Sequence, residues 1–269
     1  MEIEYDHSRN LHTVRGAEAA LAVFFKDWKP ASLLDVGCGT GTWIKAALEQ
    51  GVRDVYGVDG VEIPEESLLF DRERFRNVDL TGAWNLGRRF GVALCLEVAE
   101  HLDAIYADGL IESLTRHSNT VVFSAACPGQ LGQHHVNCQW PYYWQGMFNS
   151  RGFACSDPFR RQIWDTEEIE PWYRQNVFLA RRSGEAGSEP RVPSVRHPAL
   201  DDHSFCAAGL SGERSMLGRV ESGHLSMGWY IAVPFRAFAA KIGRRLGIRR
   251  GADAARPRAT LWSRARNRE

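Results

Sequence analysis

The chain has 269 residues, 44% hydrophobic and 25% charged, with 25 Gly and 11 Pro. These proportions lie near the soluble globular mean and exclude collagen-like, disordered and disulfide-scaffold classes for the chain as a whole. The 33 basic and 33 acidic residues cancel overall, but residues 236–269 hold 11 Lys/Arg against 2 Asp/Glu, so this tail carries +9 and the preceding 235 residues −9.

An acidic body argues against a nucleic-acid surface there. The six cysteines (Cys38, Cys95, Cys127, Cys138, Cys155 and Cys206) contain no C-x-x-C pair, so zinc-ribbon and thioredoxin-type sites have no support. The polar start MEIEYDHSRN is unlike a secretory leader, and no apolar stretch approaches the roughly 18 residues of a spanning helix. The expected setting is the reducing cytoplasm.

In chain order, helical spacing of apolar residues predicts a helix over 14–28, ended by Pro30. The run 32–36 (SLLDV) flows into glycines and reads as a buried parallel strand. A helix follows over 42–50, then strands over 54–58 ending in Asp59, over 74–78 ending in Asp79, and over 91–96. Helix 103–116, strand 120–124 and helix 139–150 continue the alternation, and 153–155 with 175–180 predict an antiparallel hairpin at the sheet edge. The class is therefore α/β: a Rossmann-like, doubly wound, mostly parallel seven-stranded sheet with an antiparallel edge hairpin and an irregular or helical C-terminal extension. The expected organisation is a domain over 1–182, a Gly/Ser/Pro-rich linker over 183–203, and an extension over 204–269.

The most informative segment is LLDVGCGTG, residues 33–41. A strand ends in an acid, and glycines at 37, 39 and 41 precede a helix whose first N–H groups are free for a ligand. The third glycine follows the second by two positions rather than the three of a dinucleotide fingerprint. The segment resembles the first motif of class I S-adenosylmethionine-dependent methyltransferases, and the later motifs follow in order over residues 10–181. The resemblance implies that Asp35, Gly37, Cys38, Gly39 and Gly41 meet the amino-acid end of S-adenosylmethionine. It implies that Asp59, followed by Gly60, takes the ribose hydroxyls, that Asp79 faces the adenine amine and that Leu80 lies against the ring.

Beyond the fourth strand, Glu97, Glu100 and His101 fall within five residues, a donor set suited to Mg²⁺, Mn²⁺ or Zn²⁺. On one helical turn Glu97 would lie near both others, and His134 or His135 offers a further imidazole from the loop after strand five. The E-V-x-E-H series resembles that of small-RNA 2′-O-methyltransferases and ubiquinone-pathway O-methyltransferases, in which two Glu and one or two His hold a divalent ion. Metal-free relatives supply the other reading: Glu97 lines the cofactor pocket, Glu100 caps the next helix and His101 packs beneath the loop.

Residues 125–144, AACPGQLGQHHVNCQWPYYW, join a glycine-rich loop to two His, an Asn and four aromatics, the composition of a small-molecule pocket. The segment resembles a loop of a bacterial methyltransferase subgroup, which has Glu where this chain has Cys138. His135 matches that subgroup's His, making it the candidate general base, with Glu97 beside it. Near the N-terminus, Tyr5, His7, Asn10 and His12 either lid the cofactor or form a solvated start. In the extension, residues 229–246 predict a basic amphipathic helix that either packs on the domain or lies on an anionic membrane surface, a peripheral contact at the inner face. The leading expectation is methyl transfer to O or N of a small molecule such as a glycan, lipid-linked or natural-product intermediate. The alternatives are an RNA 2′-O-methyltransferase and a non-catalytic S-adenosylmethionine-binding protein.

Overall fold

β1 (Ser32–Val36) is the strand on which the architecture is centred. The computed structural model describes residues 5, 7 and 12–201, within a unit spanning Met1–Ser211; Asn10, the second unit Gly212–Glu269 and the predicted helix at 229–246 lie outside the described residues. On one side β1 pairs in parallel with β2 (Asp54–Asp59), and β2 with β3 (Phe75–Asn77). On the other it pairs with β4 (Val92–Leu96), which is followed by β5 (Thr120–Ser124). β7 (Phe178–Arg182) joins β5 antiparallel and β6 (Phe153–Ser156) closes the edge, giving the order β3-β2-β1-β4-β5-β7-β6.

The sheet is covered on both faces, so its central strands are apolar throughout rather than alternating. Leu33, Val55, Leu94 and Val122 face α1 (Val14–Phe24) and α2 (Thr42–Glu49). Leu34, Val58, Ala93 and Phe123 face the side of α3 (Ala107–His117) and α4 (Pro141–Asn149), where Trp144 and Phe148 complete the core. Val36 stands opposite both Val58 and Cys95, so the loops after β1, β2 and β4 leave the sheet at one level.

Three element boundaries differ from expectation by three residues or more. The first helix stops at Phe24, and the chain continues in tight turns in which Lys26 N–H donates to Val23 and Trp28 N–H to Phe25. The helix expected from 103 begins as a 3₁₀ turn, Ala104–Tyr106, and becomes α-helical only at Ala107. Gln175 and Asn176 are not strand residues: they end α6 (Pro171–Asn176), which follows the short α5 (Arg160–Ile163), and Val177 turns the chain into β7.

Residues 183–197 have no helix or strand but are held on the domain at defined points, before the short α7 (Pro198–Asp201). The Glu189 carboxylate accepts the Cys155 N–H at 2.9 Å, the Asn149 amide at 2.5 Å and the Gln145 amide at 3.0 Å. Gln145 Oε1 in turn accepts the Val192 N–H at 2.8 Å, and Val192 is buried. Burial opposes the Glu189 charge, but these donated hydrogen bonds outweigh it and bring its pKa down to about 2. A depressed carboxylate contributes stability above its unfolded pKa and loses it as pH falls towards the folded one. Glu189→Ala should therefore lower unfolding stability by about 2 kcal/mol at pH 7, with the difference from wild type vanishing between about pH 4 and 2; denaturation curves at both ends of that range check it.

Candidate active site

β1 ends at Val36, and the chain passes through Gly37, Gly39 and Gly41 with φ of +74°, +51° and +91° before α2 begins. These left-handed values are strained for any residue with a Cβ. Space forbids one as well: at Gly37 a Cβ would strike the Val98 methyls, and at Gly41 the Phe70 ring. The loop is a bare backbone cradle at the N-terminus of a helix.

Asp59, at the end of β2, ties this loop to the sheet. Its carboxylate accepts the Gly39 N–H and the Val61 N–H, each at 2.8 Å, and His7 Nε2 lies 3.6 Å away. Asp35 sits beneath the loop, 2% exposed, and its Oδ2 has no hydrogen-bond partner. Burial, reinforced by the Asp59 charge, raises its pKa to about 8. The same burial pushes the Cys38 thiol far up, so it packs rather than reacts. Asp79 is exposed, and the hydroxyl and N–H of Thr81 both donate to its Oδ1 and lower its pKa. Leu80 is buried, 3.6 Å from where a Cβ on Gly60 would stand.

After β4 the chain bends sharply at Glu97, which has φ +56°. Its N–H donates to the Ser124 carbonyl at 3.0 Å, fixing the bend to the end of β5. Glu97 is therefore not on a helical turn with Glu100 and His101; a 3₁₀ turn, Ala99–His101, starts two residues later. The Glu97 carboxylate instead accepts the Gln130 amide at 2.7 Å and the Asn176 amide at 3.1 Å. Burial still raises its pKa, against those hydrogen bonds.

Glu100 is wholly buried, neither carboxyl oxygen has a hydrogen-bond partner, and burial together with the Glu97 charge pushes its pKa well up. One ligand atom each from Glu100, His101 and His135 lie within 4.8 Å of one another, and Glu97 stands outside that group. His101 is depressed to about 3, by burial and by the neighbouring His135, and its Nδ1 lacks a partner. His135 packs against Gly132, with Nδ1 3.1 Å from the Gln130 carbonyl and Nε2 4.0 Å from Glu100; burial lowers its pKa too. Cys138 is half-buried, its thiol pushed up to about 12 by burial and then by Glu100 and Glu97.

The N-terminal residues reach this cluster. Tyr5 packs edge-on against His7 and His101, with ring centroids 4.9 and 4.8 Å apart. On the loop after β5, Trp140 is half-buried beneath the Arg196 guanidinium, while Tyr142 is exposed and Trp144 is core. Sequence reasoning missed the roles of Gln130 and Asn176; the only signals were a glutamine beside the Pro-Gly pair and a Gln-Asn pair read as strand.

A methyltransferase-domain family model matches residues 5–155, more than half of the chain. No curated protein matches the sequence significantly. Similar solved structures include magnesium protoporphyrin IX methyltransferase from Synechocystis PCC 6803 (18% identity, 63% of this chain and 82% of that one, TM-score 0.46). DesVI of Streptomyces venezuelae is similar at 14% identity over 67% of this chain and 100% of that one, TM-score 0.49. A sugar N-methyltransferase from Streptoalloteichus sp. ATCC 53650 is similar at 18% identity over 63% and 87%, TM-score 0.48. By the family match, together with its glycine loop and strand-end acids, the chain belongs to the methyltransferase-domain family, among the class I S-adenosylmethionine-dependent enzymes.

Proposed function

We propose that the chain moves a methyl group from S-adenosylmethionine to an oxygen or nitrogen of a small molecule, between the loops that follow β1, β2, β4 and β5. The observation that carries this reading is Asp35, a buried carboxyl with an unpartnered oxygen beneath a bare glycine loop. Such a group is costly unless a cation or donor meets it, and the methionyl ammonium of S-adenosylmethionine is a cation of the right kind. Asp35, Gly37, Cys38, Gly39 and Gly41 are assigned to that end, Asp59 and Gly60 to the ribose, and Asp79 and Leu80 to the adenine. Glu97 lines the same pocket.

The cofactor's sulfonium supplies an activated methyl, leaving the protein to align the acceptor and take a proton. His135 is built for the second task. The Gln130 carbonyl can only accept, so His135 Nδ1 carries the hydrogen and Nε2 keeps its lone pair. Its lowered pKa keeps the ring neutral at pH 7, ready to accept a proton. Trp140 and Tyr142 give the acceptor an aromatic wall.

A second reading is favoured by the convergence of Glu100, His101 and His135. A divalent cation held there would answer the unpartnered Glu100 oxygens and His101 Nδ1, and would activate an acceptor hydroxyl.

Three outcomes follow from these assignments. Asp59→Ala should weaken S-adenosylmethionine by about 2–3 kcal/mol; unchanged affinity in titration calorimetry removes the ribose assignment. Asp35 has a folded pKa of about 8 against an unfolded value near 4, so its protonated form stabilises the free protein at low pH and that contribution is lost as pH rises towards 8. A bound ammonium reverses this preference, so S-adenosylhomocysteine binding at pH 7 should release close to one more proton from wild type than from Asp35→Asn. Equal buffer dependence of the binding heat in the two proteins would count against the ammonium assignment. In an acceptor screen, exhaustive EDTA treatment should abolish turnover, and Mg²⁺, Mn²⁺ or Co²⁺ should restore it, if the second reading holds; full activity after chelation leaves His135 as a metal-free base.

A further inference from the structure

A buried chain of side-chain amides runs from beyond the sheet to Glu97. It begins at the backbone N–H of His197, which donates to Gln175 Oε1 at 2.8 Å. Gln175 Nε2 donates to Asn176 Oδ1 at 3.0 Å and reaches Cys127 Sγ at 2.7 Å. Asn176 Nδ2 donates to Glu97 Oε1 at 3.1 Å and to Gln130 Oε1 at 2.8 Å. Gln130 Nε2 then closes on Glu97 Oε2 at 2.7 Å. Gln175 and Asn176 are 1% and 2% exposed, so water does not compete for these bonds.

The two ends of an amide are nearly alike in shape, and its orientation is set by its partners. Here both ends of the chain are unambiguous, because a backbone N–H only donates and a carboxylate only accepts. Gln175 must turn its oxygen towards His197, Asn176 its oxygen towards Gln175, and Gln130 its oxygen towards Asn176. The Asn176 and Gln130 amide nitrogens then both donate to Glu97. Reversing any one amide would oppose two donors on one side and two acceptors on the other. Glu97 needs such support, since its left-handed backbone is a conformation that surrounding structure must impose.

We propose that Gln175, Asn176 and Gln130 are positioning residues that fix the Glu97 carboxylate for ligand binding, with the polarity of the chain set by the His197 backbone. This rests on the reading in which Glu97 lines the cofactor pocket. The segment after the sheet thereby reaches the donor site through Gln175.

The test uses the full-length protein, with S-adenosylhomocysteine as probe, titration calorimetry for affinity and thermal melts for folding. Glu97→Ala should weaken binding at least tenfold. Asn176→Asp keeps the size of the side chain and the acceptor facing Gln175 but has no N–H for Glu97; it should weaken binding about tenfold, as should Asn176→Leu. In the Glu97→Ala background the same Asn176→Asp change should add less than a twofold loss, because its effect passes through Glu97. An equal loss in both backgrounds makes Asn176 a general structural residue and overturns the proposal. Unchanged affinity in Glu97→Ala overturns the pocket reading, and the proposal with it. A loss in Glu97→Ala but none in Asn176→Asp overturns the positioning role alone. Should the Asn176 variants not fold, Gln175→Glu serves in the same cycle: it still accepts from His197 but draws the Asn176 amide away from Glu97.

Discussion

The parallel pairing of β1 with β2 on one side and β4 on the other is the constraint on which the site depends. The succession of strands reverses direction at β1, the kind of switch point that opens a crevice at the carboxyl ends of the strands. The register brings Asp35, Asp59 and Glu97 to that crevice from three strands or strand ends. With Glu100 beside Glu97, four carboxyl groups in poorly solvated surroundings repel one another unless each charge is answered or a proton is kept. Asp59 is answered by two backbone N–H groups and Glu97 by two amides, whereas Asp35 and Glu100 retain oxygens with no partner. The two proposed readings differ in which cation would meet which carboxyl.

The imidazoles obey a related logic. His101 and His135 sit where burial disfavours a positive ring, so each keeps a lone pair at neutral pH. A base for an acceptor proton and a ligand for a divalent ion both require that lone pair. Tyr5 covers His101, and His7 approaches Asp59, so the N-terminal residues reach both the histidine cluster and the glycine loop. His12, lowered to about 4 by burial and the neighbouring His7, adds a further neutral ring to this segment.

What was legible in the sequence was what backbone rules write into it. The central strands show as apolar runs because both faces are covered, and the glycine loop shows because its turns tolerate no Cβ. Asp59 could be located because it ends β2, whereas Asp79 lies two residues past the end of β3 rather than at it. Glu97 was misplaced on a helical turn because nothing in E-V-A-E-H announces a left-handed residue; the bend is imposed by Ser124, 27 positions away. The Gln-Asn pair at 175–176 was read as strand because the apolar run that follows it dominates the pattern. Pro171 at the first position of α6 was the contrary signal, being well suited to open a helix. The contact between Asn176 and Glu97 spans 79 positions and has no periodic trace at all.

This difference separates the two halves of the site physically. The donor half is made of strand ends and a glycine backbone, positions that the sheet fixes whatever the side chains nearby. The proposed acceptor half is a loop, residues 125–140, held by scattered hydrogen bonds rather than by sheet pairing. Near its end, Glu100's carbonyl accepts the Val136 and Asn137 N–H groups at 2.9 and 3.0 Å, and Gln139 N–H donates to Ala126 at 3.1 Å. Leu131 and the side chain of Val136 are exposed apolar groups on this loop. Arg196 stacks on Trp140 and bonds to the Pro128 carbonyl, so under the proposed reading it braces the wall that the acceptor would meet. In the proposed reading the fold sets where a methyl is delivered, and this loop sets to what.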